Sequence, residues 1–142
     1  MGLSAYELFD EAIQKSQVWL NELGDELEWD SPGGVLLALR ATIHTLRDRL
    51  PPGEAAQLGA QLPLLIRGLY YEGWRPAAEP WKERHREAFL ARVGHEMRGY
   101  AQQKDPEVVV RAVFRVLGRR VSAGEIQEVK HLLPAEIREL WP

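Results

Sequence analysis

The chain matches itself at a spacing of 71 residues, and that spacing constrains its fold more than any other feature of the sequence. Arg40-Ala41-Thr42-Ile43-His44-Thr45-Leu46 lies against Arg111-Ala112-Val113-Phe114-Arg115-Val116-Leu117, and Arg49-Leu50 lies against Arg120-Val121. Gly53-Glu54 falls on Gly124-Glu125, Leu62-Pro63 on Leu133-Pro134, Ile66-Arg67 on Ile137-Arg138, and Leu69-Tyr70 on Leu140-Trp141. With one residue inserted, Trp19, Leu23 and Gly24 pair with Phe89, Val93 and Gly94. Any two amphipathic helices share an apolar period, but a fixed offset carried through a Pro, two Gly and several Arg needs a stronger cause. Two copies are too few for a solenoid, which usually needs about three or more units to share a continuous core. The expected architecture is one compact helical bundle of two tandem, pseudo-two-fold related copies. Copy one covers 1–73, a linker 74–80, and copy two 81–142.

Each copy reads as four helices, two long and two short. Tyr6, Phe9, Ile13, Leu20, Leu23 and Leu27 recur at three- and four-residue steps, one apolar stripe on a helix over 5–27. Ser4 followed by Glu7 is a capping box for its start. Asp30-Ser31-Pro32 opens a second helix that runs to about Leu50, where Pro51-Pro52 stops it. A short helix follows over 54–61, and Pro63 opens another that ends near Gly73. The Gly and prolines of Glu72–Pro80 deny a continuous helix and separate the copies. In copy two a long helix is expected over 80–101, with Trp81, His85, Ala88, Phe89, Val93, Met97 and Tyr100 on its inner face. Asp105-Pro106 starts the next, Ser122 and Glu125 form a second capping box, and Pro134 leads the final turns. Val108-Val109-Val110 favours a strand by propensity but sits inside a helical period. The fold class is all-α.

Composition removes several chemistries. There is no Cys, so disulfides, thiolate metal ligands and thiol catalysis are excluded. A hydrophobic fraction of 45% and five Trp argue for a packed core. The first residues lack a basic stretch followed by an apolar one, and Val35–Leu39 is far short of the ~20 apolar residues of a bilayer span. A cytoplasmic protein that does not meet the membrane is the expectation. Charge is uneven: residues to Tyr71 hold 10 acidic and 5 basic side chains, and the remainder 11 and 13. The net of −3 gives no bulk attraction for nucleic acid.

No residue pattern points to a catalytic, cofactor or metal site, and a non-enzymatic role is the favoured reading. The four histidines, His44, His85, His95 and His131, make no metal motif at helical spacing. His44 and Asp48 stand four apart, which predicts a hydrogen bond on a helix surface. Glu83 and Glu87 share a face with Lys82, Arg84 and Arg86 around them, the pattern of a solvated, salt-laced surface. Gly33-Gly34 lacks the Lys-Ser/Thr of a nucleotide loop and reads as a turn.

Two surfaces merit attention as partner-binding. Arg111, Arg115 and Arg119 fall at four-residue steps and, with Arg120, make a basic stripe suited to phosphate or an acidic partner; Arg40 and Arg47 extend the idea in copy one. Tyr70, Tyr71 and Trp74 end copy one beside Arg67 and Arg75, and aromatics with Arg are typical anchors of protein contacts. The competing role for Trp74 is to plug the seam between the halves. The functional expectation is a helical protein-interaction or oligomerisation domain, with a homodimer as one form. The alternatives are a nucleic-acid-binding regulator using the arginine stripe, and a small-ligand carrier or enzyme with a pocket between the copies.

One run carries a family resemblance. Leu46-Arg47-Asp48-Arg49-Leu50-Pro51, Glu54-Ala55-Ala56-Gln57-Leu58, Ala60-Gln61-Leu62-Pro63 and Arg67-Gly68-Leu69-Tyr70-Tyr71-Glu72-Gly73-Trp74 closely resemble the bacterial domain of unknown function 2267. The resemblance extends over nearly the whole chain, because members of that family also look like two related helical halves. It implies an all-helical fold and a bacterial cytoplasmic setting, and it brings no reaction with it. Copy two departs from the pattern at Lys130-His131-Leu132-Leu133-Pro134, where the Ala-Gln-Leu-Pro form is lost. Should that motif carry a function, copy two is expected to keep only its structural share.

Overall fold

Ser4 opens the first helix by the reciprocal bonds its spacing to Glu7 predicts. The Glu7 N–H donates to Ser4 Oγ at 3.2 Å, and the Ser4 N–H donates to the Glu7 carboxylate at 3.2 Å. The helix, α1 (Ala5–Leu27), ends on Glu28 in the left-handed region at φ 57°. A computed structural model describes residues 4–99 and 104–142. After α1 come α2 (Pro32–Arg49), α3 (Pro52–Ala60), α4 (Leu64–Tyr71), α5 (Arg86–Glu96), α6 (Pro106–Arg120), α7 (Ala123–Leu132) and α8 (Ala135–Arg138). Among the described residues there is no strand. The protein is an all-α bundle, and no helix in it is long and apolar enough to cross a membrane.

One hydrophobic core draws on both halves of the chain. Leu23, Leu39, Ile43, Leu46, Leu58 and Tyr70 join Phe89, Val113, Phe114, Leu117, Val129 and Ile137 in a single cluster. Each such side chain contributes about 1.5–3 kcal/mol when wholly withdrawn from water. Trp81, Phe89, Phe114 and Trp141 run through it as a file of rings, with centroids 6.3, 6.4 and 4.1 Å apart. α1 packs on α2 and α6, α5 packs on α6 and α2, α2 crosses α6, and α3 meets α7. Two arginines secure the ends of short helices in the same way. Arg67 donates to the carbonyls of Gly59, Ala60 and Leu62, and Arg138 to those of Lys130 and Leu133. These are carbonyls that a helix C-terminus leaves without an intrahelical donor.

The long helices depart from the sequence expectation in two places. The helix expected over 80–101 is shorter, because residues 81–85 are drawn onto the end of α2 instead. The Trp81 N–H donates to the Asp48 carbonyl at 2.9 Å, and Arg49 Nε donates to the Glu83 carbonyl at 2.6 Å. Backbone groups committed to another element cannot close a helical turn, so His85 becomes an extended N-cap and is exposed rather than inward-facing. Tyr100, the last residue of that expected inner face, lies outside the described residues. The second departure is in α1. Its stripe is continuous in sequence but not in burial: Leu23 and Leu27 are in the core, while Tyr6, Phe9 and Ile13 are 82%, 62% and 46% exposed.

Candidate functional site

The arginine stripe is the first of three places where charged or aromatic side chains converge. α6 turns Arg115, Arg119 and Arg120 toward α1, where Glu22 and Glu26 stand one helical turn apart. Arg115 Nε donates to Glu26 at 3.0 Å; Arg119 reaches Glu22 at 2.6 Å and Glu26 at 2.7 Å; Arg120 Nε reaches Glu22 at 2.6 Å. Burial opposes ionisation of Glu22, but hydrogen bonds from Arg119 and Arg120 outweigh it and hold the carboxyl below its ordinary range. Bonds from Arg119 and Arg115 do the same for Glu26. Arg111 pairs with Glu107 at 3.1 Å along its own helix and donates to the Glu139 carbonyl at 3.2 Å. These guanidiniums therefore spend donors inside the chain, and Arg115 and Arg119 join its two halves.

The aromatic end of α4 is the second place. Tyr70 is interior, and its hydroxyl donates to the Ala55 carbonyl at 2.7 Å; burial raises its pKa far above the usual phenol value. Tyr71 is half-buried, donates to the Ala56 carbonyl at 3.3 Å, and brings its hydroxyl end against α3 at Gly59. A Cβ on Gly59 would stand 2.3 Å from the Tyr71 hydroxyl oxygen, so only glycine permits this approach. Trp74, also half-buried, packs on Tyr71 with centroids 5.3 Å apart. It lines a hollow of about 340 Å³ together with Arg47, Arg75, Trp81 and Arg92. Arg75 is exposed at its rim, and Arg67 is occupied by the carbonyls described above.

Arg47 anchors that end from beneath. It is 4% exposed, donates to the carbonyls of Tyr70 and Glu72 at 2.7 Å each, and turns Nε to Asp48 at 2.8 Å. Asp48 also takes Arg92, which lies over the Trp81 ring at 4.6 Å. The expected bond between His44 and Asp48 is not made. His44 Nε2 donates instead to the Leu69 carbonyl at 2.6 Å, since the chain leaving α4 brings that acceptor within reach while Asp48 is held by two arginines. Burial lowers the His44 pKa despite this bond, leaving a neutral ring in a structural role.

The third place was not singled out from sequence. α3 and α7 meet through Glu54 and Glu125, each 8% exposed, with Glu128 at the rim. One oxygen from each of the three carboxylates lies within 4.8 Å of the others. Glu54 Oε1 and Glu125 Oε2 are buried and take no N–H or O–H from any other described residue, which leaves a proton shared between the two carboxyls as their bond. The Gln57 amide group faces the same point and, presenting its nitrogen, donates to Glu128 at 3.1 Å and Glu54 at 3.3 Å. The capping box expected at Ser122 is half made: the Glu125 N–H donates to Ser122 Oγ at 3.3 Å. The Glu125 carboxylate turns to Glu54, and burial, then the bond and charge of Glu54, push its pKa up to about 8. The sequence did hold a signal, since Gly53-Glu54 and Gly124-Glu125 stand at the repeat spacing.

An all-helical bundle joined by cross-half ion pairs, with Gly, Tyr and Arg devices at the ends of its short helices, is the class this geometry defines. Residues 16–140, nearly the whole chain, match the family described as uncharacterized conserved protein DUF2267, and the chain belongs to that family. No curated protein matches the chain.

Proposed function

We propose that this protein is a non-enzymatic helical interaction module, built from two copies of one four-helix unit, that associates with a second copy of itself through the first turns of α1. The tandem arrangement is supported by contacts that correspond at the repeat spacing. The arginine device of Arg67 recurs at Arg138 with matching acceptors, Gly59 and Leu62 against Lys130 and Leu133. Packing of α1 on α6 is mirrored by α5 on α2, while α2 on α6 and α3 on α7 pair equivalent elements.

The observation that carries the docking reading is the exposed start of α1. Tyr6 and Phe9 stand out from the body on turns that also carry the acids Glu7 and Asp10. Beside the same helix runs a groove of about 660 Å³, with Leu8, Val18 and Leu64 in its apolar lining, Lys15, Arg67 and Arg120 as its cations, and Glu11 paired with Lys15 at 2.9 Å. An exposed apolar helix start and an apolar groove are complementary, and the molecule owns one of each. Two copies can therefore exchange α1 starts reciprocally about a two-fold axis, in the helix-in-groove manner.

Light scattering over a dilution series tests this. A dimer that dissociates on dilution, and a Phe9→Glu variant that stays monomeric with an unchanged helical spectrum, are the expected results. A wild-type monomer at every concentration would end the proposal. The nucleic-acid alternative has less support, because Arg115, Arg119 and Arg120 are paired with Glu22 and Glu26, and Arg111 with Glu107. A ligand pocket between the copies likewise has less support than docking: the ring file from Trp81 to Trp141 fills the shared interior, and the hollow between Arg47 and Arg92 has about half the volume of the groove beside α1.

A further inference from the structure

The junction of α3 and α7 holds more negative charge than its surroundings answer. Glu54 and Glu125 are withdrawn from water, and burying carboxylates in this way is costly unless a proton or a cation accompanies them. Among the described residues no Lys or Arg forms an ion pair with Glu54, Glu125 or Glu128. Two buried oxygens, Glu54 Oε1 and Glu125 Oε2, receive no donor from any other described residue, and the one bond open to them within the protein is a proton shared between the two carboxyls. Gln57 adds a group that can serve either state. Its NH₂ satisfies Glu54 and Glu128 when they stand alone, and turning the amide over offers its oxygen instead.

We propose that Glu54, Glu125 and Glu128, with the amide oxygen of Gln57, bind a hard divalent cation that clips α3 to α7. The donor set is all oxygen, which selects calcium, manganese or magnesium over zinc or copper. A spread of 4.8 Å among the carboxylate oxygens suits atoms arranged around one ion. Glu128 and Gln57 lie on the exposed side, where water can complete the coordination. Because one element comes from each half of the chain, the ion joins the halves at a junction where, among the described residues, no Lys or Arg pairs with these carboxylates. This inference stands independently of the docking reading, since none of its ligands lies in α1 or its groove.

The site is occupied by a cation or by a shared proton, and calorimetry separates the two. Calcium, manganese and magnesium chlorides are titrated in turn into the full chain at a pH above 8, where a carboxyl like Glu125 ionises. One ion per chain is expected, with a rise in Tm that grows with cation concentration. Nearer neutral pH, binding should release protons, read as a heat that depends on the ionisation enthalpy of the buffer. Glu125→Gln and Glu54→Gln should each weaken binding by about tenfold or more, a loss of about 1.4 kcal/mol or more by the usual conversion. Glu128→Gln, at the exposed rim and so harmless to folding, should weaken it too. Absence of binding at millimolar cation, or equal affinity in the wild type and Glu128→Gln, would overturn the proposal and leave the shared proton as the occupant.

Discussion

The seam where α1 meets α6 and the seam where α5 meets α2 solve one problem with opposite signs. Counted at the offsets of the sequence repeat, Glu22 corresponds to Arg92 and Asp48 to Arg119. In one seam Glu22 on α1 takes Arg119 on α6; in the other Arg92 on α5 takes Asp48 on α2. The surroundings differ more than the pairs do. Arg119 and Arg120 are about half exposed, at 48% and 39%, and share their carboxylates in an open network. Asp48 also holds buried Arg47, whose other bonds fix the carbonyls after α4, and Arg92 is sheltered by Trp81. A pair of charges therefore does not have one value. It contributes according to how much water its loss would let in and how many other groups it leaves without a partner.

The sharpest test removes Arg47. Arg47→Ala strips donors from two carbonyls and leaves Asp48 with one cation, inside a packed end of the bundle. Loss of one partner from a buried ionic network costs about 3–5 kcal/mol, and urea unfolding should show a shift of that order, little changed by salt. A loss below about 1 kcal/mol would show that the two seams are equivalent after all. The counterpart in the open seam is Arg119→Ala. It removes two ion pairs, yet screening and side-chain freedom limit the expected loss to roughly 0.5–1 kcal/mol, fading as salt is raised.

The contrast between the seams also marks how far the sequence could be read. Local signals were legible: the capping residue Ser4, the stop at Pro51-Pro52 and the proline opening of α6 all act within one turn of themselves. The stripe of Arg115 and Arg119 was visible as a stripe, but its partners lie some 90 residues away on α1, and only the packed bundle brings them together. The same holds for Glu54 and Glu125. Each reads locally as a residue in the first turn of a short helix, and only the meeting of α3 with α7 makes them neighbours. Residues 81–85 were misread for a related reason, as their composition fits a helix while α2 claims their backbone. Tyr6 and Phe9 continue the apolar period of α1 past the end of what the body covers, so periodicity alone placed them inside.

Acid should distinguish the open seam from the carboxylate junction by the sign of its effect. Glu22 and Glu26 have folded pKa values below the ordinary 4.5. The stability they bring is complete above that value and is lost as pH falls through the lower, folded values. Glu125 acts in the reverse sense. Its folded pKa is raised to about 8, so the folded chain binds a proton that the unfolded chain has given up, and stability declines as pH rises from about 4.5 toward 8. Thermal unfolding in cation-free buffer should therefore show a broad decline between about pH 4.5 and 8, the more alkaline limb of the profile, that Glu125→Gln flattens. The Glu22→Gln, Glu26→Gln double variant should instead lose part of the acid-side fall and keep the alkaline decline. Partial exposure of the arginines makes the acid-side change the smallest expected here, a few tenths to about 1 kcal/mol for each pair. If the double variant altered the alkaline limb, the seam and the junction would be one coupled network, and the distinction between open and buried charge would have to be drawn elsewhere in the molecule.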